Sequence, residues 1–214
     1  METRKIIFYL LAVLLGGCVP VMSLHPLYTE KDAVFEERLL GAWVDDTNSP
    51  ETTWEFNRPD EKDNKYRLVF ADKEGKQGSF DAHLTKLGDR LFLDVFPSEP
   101  PWDEQDPNKV NWVFNTLFLV PVHTFIKINI IESQMTLQLT DDEDFKKLLE
   151  ENPNAVEFAT IEKQPVLTAP TNELQAFVLK YADDERLFSN EVNLIQKKVC
   201  IEPGDIEPNK PSEK

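Results

Sequence analysis

The amino-acid sequence predicts a mostly β fold, an antiparallel up-and-down barrel of eight strands with two short helices. From residue 39 to residue 163, apolar and polar side chains alternate along successive short segments, which is typical of strands with one buried face. Short turn-like connections join these segments, so neighbouring strands must pair antiparallel. A sandwich would satisfy the same pattern, but only a closed barrel removes the exposed strand edges. We therefore expect a barrel.

Each strand is predicted from its own stripe of apolar residues. The segment TTWEFNR places Trp54 and Phe56 on one face and polar residues on the other. The segment LLGAWVD at residues 39–45 is expected to supply the first strand. Similar stripes follow in KYRLVF, SFDAHLTKL, RLFLDVF, HTFIKINI and SQMTLQLT, and residues 156–163 are expected to supply the eighth strand. A barrel of eight strands is either filled by side chains or holds one small ligand. The residues expected to line it are Trp54, Phe56, Tyr66, Phe70, Phe80, Leu93, Ile128 and Leu137.

Two helices are predicted in the second half of the chain. In TDDEDFKKLLEENP, Thr140 and Glu143 have the spacing of a capping box, and Pro153 ends the helix. The second helix, TNELQAFVLKYADD, has apolar residues at i, i+3, i+4 and i+7 counted from Leu174. We expect that stripe to pack on the barrel wall, and docking of a partner is the alternative.

One long segment, PSEPPWDEQDPNKVNW at residues 97–112, breaks the alternation and is rich in proline. Loops of this length are usually functional or disordered. Two roles are open for it. It could be a lid that closes its tryptophans over the barrel mouth, or an ordered cover over one end of the barrel.

The first 17 residues are typical of a secretory signal. Arg4 and Lys5 precede an apolar run that is too short to span a bilayer, which takes about 20 apolar residues. The tetrapeptide LGGC, ending at Cys18, resembles the lipobox of bacterial lipoproteins. The resemblance implies that a lipid is attached to the Cys18 sulfur and that the signal is cut between Gly17 and Cys18. Because Val19 rather than aspartate follows, it also implies sorting to the periplasmic side of the outer membrane.

These features divide the chain into four parts. Residues 1–17 are the signal peptide, residues 18–38 a lipid-anchored tether leading into the fold, residues 39–200 the barrel domain, and residues 201–214 a proline-rich tail predicted to be disordered. Lipidation of Cys18 would leave Cys200 as the other cysteine of the chain, so we expect no internal disulfide.

The segment LLGAWVD, which contains Gly41 and Trp43, resembles the Gly-x-Trp opening motif of lipocalins. The resemblance implies a lipocalin-like barrel whose base is closed by the tryptophan, with a helix after the eighth strand, where residues 171–182 would fit. An arginine stacked on Trp43 is also implied, and Arg186 is the candidate. The Thr-Asp-Tyr motif of lipocalins is missing from this sequence.

Three further stretches, SLHPLYTEKD, FDAHLTKLGDRLFLDVFP and ELQAFVLKYADD, are similar to a family of bacterial lipoproteins of uncharacterised function. This resemblance covers most of the chain after the signal and strengthens the prediction of a lipoprotein. It implies no activity.

The sequence carries no motif of a catalytic or metal-binding site. His25, His83 and His123 are scattered, whereas a zinc site needs three or four clustered ligands, and His83 is expected at the surface. We assign no catalytic residue, no metal ligand and no cofactor, and we do not expect an enzyme. The formal net charge of -16 repels nucleic acid, which is therefore not an expected partner.

We expect a lipid-anchored protein of the bacterial cell envelope that binds a small apolar or amphipathic ligand in its β-barrel. Its expected partners are the membrane, through the N-terminal lipid anchor, and that hydrophobic ligand. The alternative is a non-catalytic interaction or structural lipoprotein with a solid core, which docks an envelope protein through its loops.

Overall fold

The computed structural model describes residues 21–45, 52–98 and 120–197. The predicted signal peptide, Cys18, residues 99–112 of the predicted loop, Cys200 and the predicted tail lie outside the described residues. The strands are β1 Met22–Ser23, β2 Ala33–Val34, β3 Gly41–Asp45, β4 Thr53–Asn57, β5 Tyr66–Ala71, β6 Gln77–Leu87, β7 Arg90–Pro97, β8 Thr124–Ile131, β9 Gln134–Leu139, β10 Phe158–Ile161, β11 Gln164–Leu167 and β12 Asn190–Gln196. The helices are α1 Asp142–Glu151 and α2 Thr171–Lys180.

Eight of the described strands form a closed antiparallel barrel. The order β6-β5-β4-β3-β12-β9-β8-β7 runs around the wall, and pairing of β6 with β7 closes the ring. The β6–β7 ladder is long, from Phe80 opposite Pro97 to Leu87 opposite Arg90. The predicted fold, a mostly β protein with a barrel of eight strands and two short helices, is confirmed.

The predicted eighth strand is wrong. Residues 158–161 form β10, which pairs with β11 and, through it, with β1 in a separate sheet of three strands. The barrel is closed instead by β12, which lies between β3 and β9. Helix α2 therefore precedes the eighth strand of the barrel and does not follow it. The segment at 158–161 is a strand, but its position after α1 places it beside the barrel and not in its wall.

Two separate hydrophobic cores follow from the two faces of the barrel wall. The inner core fills the barrel and consists of buried side chains such as Trp43, Phe56, Leu93 and Leu137. The outer core lies against the outside of the wall, where Phe92 and Phe125 belong to the same buried cluster as side chains of both helices. The members of the α2 stripe, Leu174, Phe177, Val178 and Tyr181, are buried in this outer core. The prediction that this stripe packs on the barrel wall is confirmed.

Helix α1 begins one residue later than the capping-box prediction. Its N-cap is Asp141, whose carboxylate accepts hydrogen bonds from the backbone N–H groups of Glu143 and Asp144. Aspartate is among the best N-cap residues because it satisfies N–H groups that have no partner inside the helix. The Thr140 hydroxyl donates instead to the carbonyl of Leu187, at 2.5 Å, and so ties the end of β9 to the segment before β12.

The segment before the barrel, from residue 21 to residue 38, lies against the wall. Strand β1 pairs with β11, and β2 pairs with the end of β6. Leu27 between them is fully buried in the outer core. The described part of the predicted tether is therefore part of the fold.

A candidate ligand-binding cavity in the barrel

A cavity of about 340 Å³ occupies one end of the barrel. It lies at the end where β4, β6 and β8 begin and where β5, β7 and β9 finish. Its described lining residues are Trp54, Leu68, Phe70, Phe80, Val95, Thr124, Phe125, Ile126, Leu139 and Thr140. A concave, mostly apolar space of roughly 300–1,000 Å³ is typical of small-molecule sites.

The eight residues predicted to line the barrel divide into two groups. Trp54, Phe70 and Phe80 line the cavity. The other five, which lie deeper in the barrel, are buried among one another in the inner core, namely Phe56, Tyr66, Leu93, Ile128 and Leu137. Side chains thus fill the barrel at its closed end, and the cavity occupies the other end. Contact of these side chains with a ligand stays a prediction.

Seven of the lining residues were not among the predicted ones. Leu68, Val95, Ile126 and Leu139 lie on the inward stripes of predicted strands, so the alternation contained a signal for them. Thr124 and Thr140 have polar side chains, which hydrophobic alternation does not select. Phe125 belongs to the outer core and reaches the cavity at the beginning of β8.

Aromatic rings form one side of the cavity. The rings of Trp54 and Phe70, directly opposite each other on β4 and β5, meet edge to face with their centroids 5.0 Å apart. Gly78 makes room for the third ring, because a Cβ atom at that position would lie 2.8 Å from Cε2 of Phe80. Gly78 and Phe80 share a face of β6, so the small residue allows the Phe80 ring to fold back over it. This side of the cavity is therefore apolar and aromatic.

The opposite end of the barrel is closed. A 3-10 helix at Glu37–Leu39 leads into β3, and the Trp43 ring points back towards it, because its Nε1 donates to the Leu39 carbonyl at 2.9 Å. Trp43 is 0 % exposed. Gly41 has a φ of +106°, a conformation that residues with a side chain rarely adopt, so glycine is required at this position of the Gly-x-Trp motif.

An arginine stacks on an aromatic ring at this closed end, but it is not Arg186 and the ring is not Trp43. The guanidinium of Arg58 lies 3.8 Å from the centroid of the Phe35 ring, which in turn stacks on Tyr66. The Tyr66 hydroxyl accepts from the Glu36 N–H at 2.6 Å, and burial raises the pKa of Tyr66 to about 12. The stack therefore lies where β4 ends and β5 begins.

Arg186, the residue proposed from the lipocalin resemblance, lies elsewhere. Its guanidinium pairs with Asp184, at 2.7 Å, and with Glu151 on α1. Asp184 in turn has a pKa below its usual range because Arg186 donates to its carboxylate. Arg186 therefore connects α1 to the segment after α2, and its assignment as a partner of Trp43 is wrong.

A cluster of polar residues on the outer wall holds the segment before the barrel in place. Asp94 on β7 is 0 % exposed, and its carboxylate accepts from the Leu27 N–H at 2.6 Å and from Nδ1 of His123 at 2.7 Å. Next to it, the ring of Tyr28 stacks on His83 at a centroid distance of 3.9 Å. These contacts connect residues 27–28 to the middle of β6 and β7.

Burial changes the acid–base properties of this cluster. His83 was predicted at the surface, but Tyr28 covers it, and desolvation lowers the pKa of its imidazole. Desolvation also raises the pKa of Tyr28, to which the negative charges of Asp94 and Asp81 add. Among the described residues, no three histidine, cysteine or acidic side chains lie close enough together to hold a metal ion.

No protein-family model, curated protein or solved structure matches this chain. Neither α1 nor α2, nor any other helix in the described ranges, is long and apolar enough to cross a membrane. The fold itself is a closed antiparallel barrel of eight strands with two helices against it.

Proposed function

We propose that the protein binds a small apolar or amphipathic molecule in the barrel cavity. The observation that carries the proposal is the cavity of about 340 Å³ between Trp54, Phe70, Phe80 and the facing aliphatic side chains. Eight-stranded barrels have room for one such molecule when side chains do not fill them. Transfer of an apolar ligand from water into this space is favourable at roughly 25 cal/mol for each Å² of apolar surface removed from water.

A closed barrel with a filled core would instead suit a protein that acts through its surface. The inner core is filled only in its lower part, where Phe56, Leu93 and Leu137 are fully buried. The other end of the barrel contains the cavity, although large aromatic side chains, Trp54, Phe70 and Phe80, line it. This difference between the two halves of one barrel supports binding of a small molecule over a purely structural role.

Thermal unfolding of the full chain tests the proposal. We expect fatty alcohols, fatty acids or lysolipids to raise the unfolding temperature. A ligand at 100 times its Kd stabilises a folded protein by about 2.7 kcal/mol, which corresponds to roughly 5–10 °C for a domain of this size. Ile126→Trp should fill the cavity and abolish the shift, whereas Ile131→Trp, on the same strand but exposed, should preserve it. A panel without any shift would argue against the proposal.

We further propose that the protein is anchored by a lipid on Cys18 in a bacterial cell envelope, with the outer membrane as its location. The support is the basic start, the apolar run and the LGGC tetrapeptide. Val21 is buried on the wall, so two residues separate it from Cys18. Because an extended chain spans at most about 3.6 Å per residue, the lipid would hold this side of the barrel within roughly 11 Å of the bilayer.

Replacement of the cysteine tests the anchor. We expect Cys18→Ser to abolish labelling by radioactive palmitate and to move the protein from the membrane fraction to the soluble or unprocessed fraction. A single acyl chain already gives only marginal attachment, so loss of all chains should remove the lipid anchor completely. Cys200→Ser is the matched control and should leave labelling unchanged. Equal labelling of the wild type and the Cys18→Ser variant would contradict the proposal.

A further inference from the structure

We infer that the cavity takes up only the hydrocarbon chain of its ligand, with room for about twelve carbon atoms, and that the polar head group stays outside the barrel. This inference rests on the proposed function and specifies the chemical class of the ligand, an alkyl chain whose head group the cavity does not recognise. The features that carry it are a wall that offers no hydrogen bond, a change in burial along the cavity, and the cavity volume.

The side chains that line the cavity present no polar atom to a ligand. Of the ten described lining residues, Trp54, Thr124 and Thr140 are the three with a polar side-chain atom. The Thr140 hydroxyl is already used, because it donates to the Leu187 carbonyl. The indole nitrogen of Trp54 and the hydroxyl oxygen of Thr124 have almost no accessible surface, so a molecule in the cavity cannot bond to them.

The backbone and the charged residues of the protein add no polar contact to the described lining. The lining strands, β4 to β9, each pair with a neighbour on both sides. Hydrogen bonds in a sheet run between neighbouring strands, so these N–H and C=O groups point along the wall and not into the barrel. None of the ten described lining residues is basic or acidic. A head group inside the cavity would lose its hydration without gaining a partner, which is unfavourable for a neutral polar group and far more so for an ion.

Burial increases along the cavity and so sets the direction in which a chain enters. Phe70, at the end of the cavity that we call the rim, is only partly buried. Leu68, two residues further into the barrel on the same strand, is buried, as is Ile126 on β8. Phe56, directly opposite Leu68 on β4, belongs to the filled inner core. Leu68 and Ile126 therefore form the floor, and a head group remains in water at the rim.

The volume limits the number of carbon atoms that the cavity can hold. An apolar cavity of about 150 Å³ stays dry and binds benzene, which has six carbon atoms. The barrel cavity, at about 340 Å³, is a little more than twice as large and should hold about twelve. Burial of each methylene group should tighten binding about fourfold. The gain should end when the chain fills the cavity, because further carbon atoms stay in water.

Three probes with the same ten-carbon chain but different head groups test whether the head group stays outside: decan-1-ol, decylphosphocholine, and decanoate at about pH 8, where its carboxyl group is ionised. Their binding to the full chain is measured by titration calorimetry in about 1 M NaCl, which reduces the range of repulsion from the net charge of -16 to about 3 Å. We expect the three Kd values to agree within about fivefold. A larger preference for one head group would overturn the inference but leave the proposed function intact. Failure of all three probes to bind would overturn both.

A series of alcohols from hexan-1-ol to hexadecan-1-ol tests the size limit by the same titration. The Kd should fall about fourfold with each added carbon up to about twelve carbons and should then stay nearly constant. A continued fourfold gain from dodecan-1-ol to hexadecan-1-ol would overturn the inference, as would a series with no gain at any length.

Substitutions at Ile126, on the floor, should shift the size limit in opposite directions. Ile126→Phe adds three side-chain carbons and should lower the limit by about three carbons, whereas Ile126→Ala removes three and should raise it by about three. Ile131→Phe and Ile131→Ala, at the exposed end of the same strand, are the matched controls and should leave the limit unchanged. An unchanged limit in both Ile126 variants would place the chain outside the cavity and overturn the inference together with the proposed function. The comparison of head groups uses the wild type and does not depend on the folding of any variant.

Discussion

Replacement of Asp94 by alanine should lower the free energy of unfolding by about 3 kcal/mol. The carboxylate is 0 % exposed and accepts two hydrogen bonds, one from the Leu27 N–H and one from His123. Without it, both donors remain buried without a partner, and each such group costs about 1–3 kcal/mol. The His123 side chain is only 13 % exposed, so water replaces the lost acceptor poorly.

Asp81→Ala is the matched control for this prediction. Asp81 lies on the same outer face of the sheet, one strand away, and pairs with Lys65 at 2.7 Å. Its side chain is 24 % exposed, and partly exposed ion pairs contribute roughly 1 kcal/mol or less. Urea denaturation of both variants measures the difference, and hydrogen exchange should show loss of protection at the Leu27 amide in Asp94→Ala alone. Equal destabilisation by the two substitutions would show that Asp94 does not hold the N-terminal segment.

Trp43→Ala should destabilise the protein by about 4 kcal/mol, and Trp54→Ala by about half as much or less. The two residues form a cross-strand pair on β3 and β4, so the substitutions are chemically identical and adjacent. Trp43 is fully buried in the inner core, and its removal leaves a void together with an unbonded carbonyl at Leu39. Trp54 borders space that is already present, and its N–H has no bond to lose.

Denaturant unfolding of the two variants, with the m-value monitored, measures this difference. Trp43→Phe and Trp54→Phe separate the hydrogen bond from the ring. The first should cost about 1–3 kcal/mol because the Leu39 carbonyl loses its donor, whereas the second should be nearly neutral. Equal costs at the two positions would mean that the barrel is as closely packed at its open end as at its base.

Seven of the eight barrel strands could be predicted from the sequence because alternation is a local property. A strand with one buried face shows its period within five or six residues, as Trp54 and Phe56 do in β4. The eighth strand could not be found in this way. β12 contributes only Val192 and Leu194 to the inner core as apolar residues, too short a stripe to stand out. The segment that leads into β10 shows a similar short alternation, with Val156 and Phe158 on either side of Glu157. Which of two weak strands closes a barrel depends on pairing between distant segments.

The position of the cavity could not be predicted from local alternation either. The inward direction of Phe56 and Phe80 follows from alternation, and both side chains face the barrel interior. Alternation gives no position along the barrel axis, so it cannot distinguish the packed base from the open end. The sequence also cannot show that the Trp54 N–H lacks a hydrogen-bond partner while the Trp43 N–H has one. The two residues are of the same type, and only the folded structure determines which acceptors lie within reach.

The sequence by itself therefore determined the class of fold, most of the strands and the buried stripe of α2. These features depend on residues close together in the chain, where side-chain period and backbone conformation are set locally. Only the tertiary structure decided the strand that closes the barrel, the burial of Asp94 beneath residue 27, and the division of the barrel into a packed base and an open cavity. Each of these depends on contacts between segments far apart in sequence. Such contacts form only when the barrel wall closes, and only then are the side chains on its two faces removed from water.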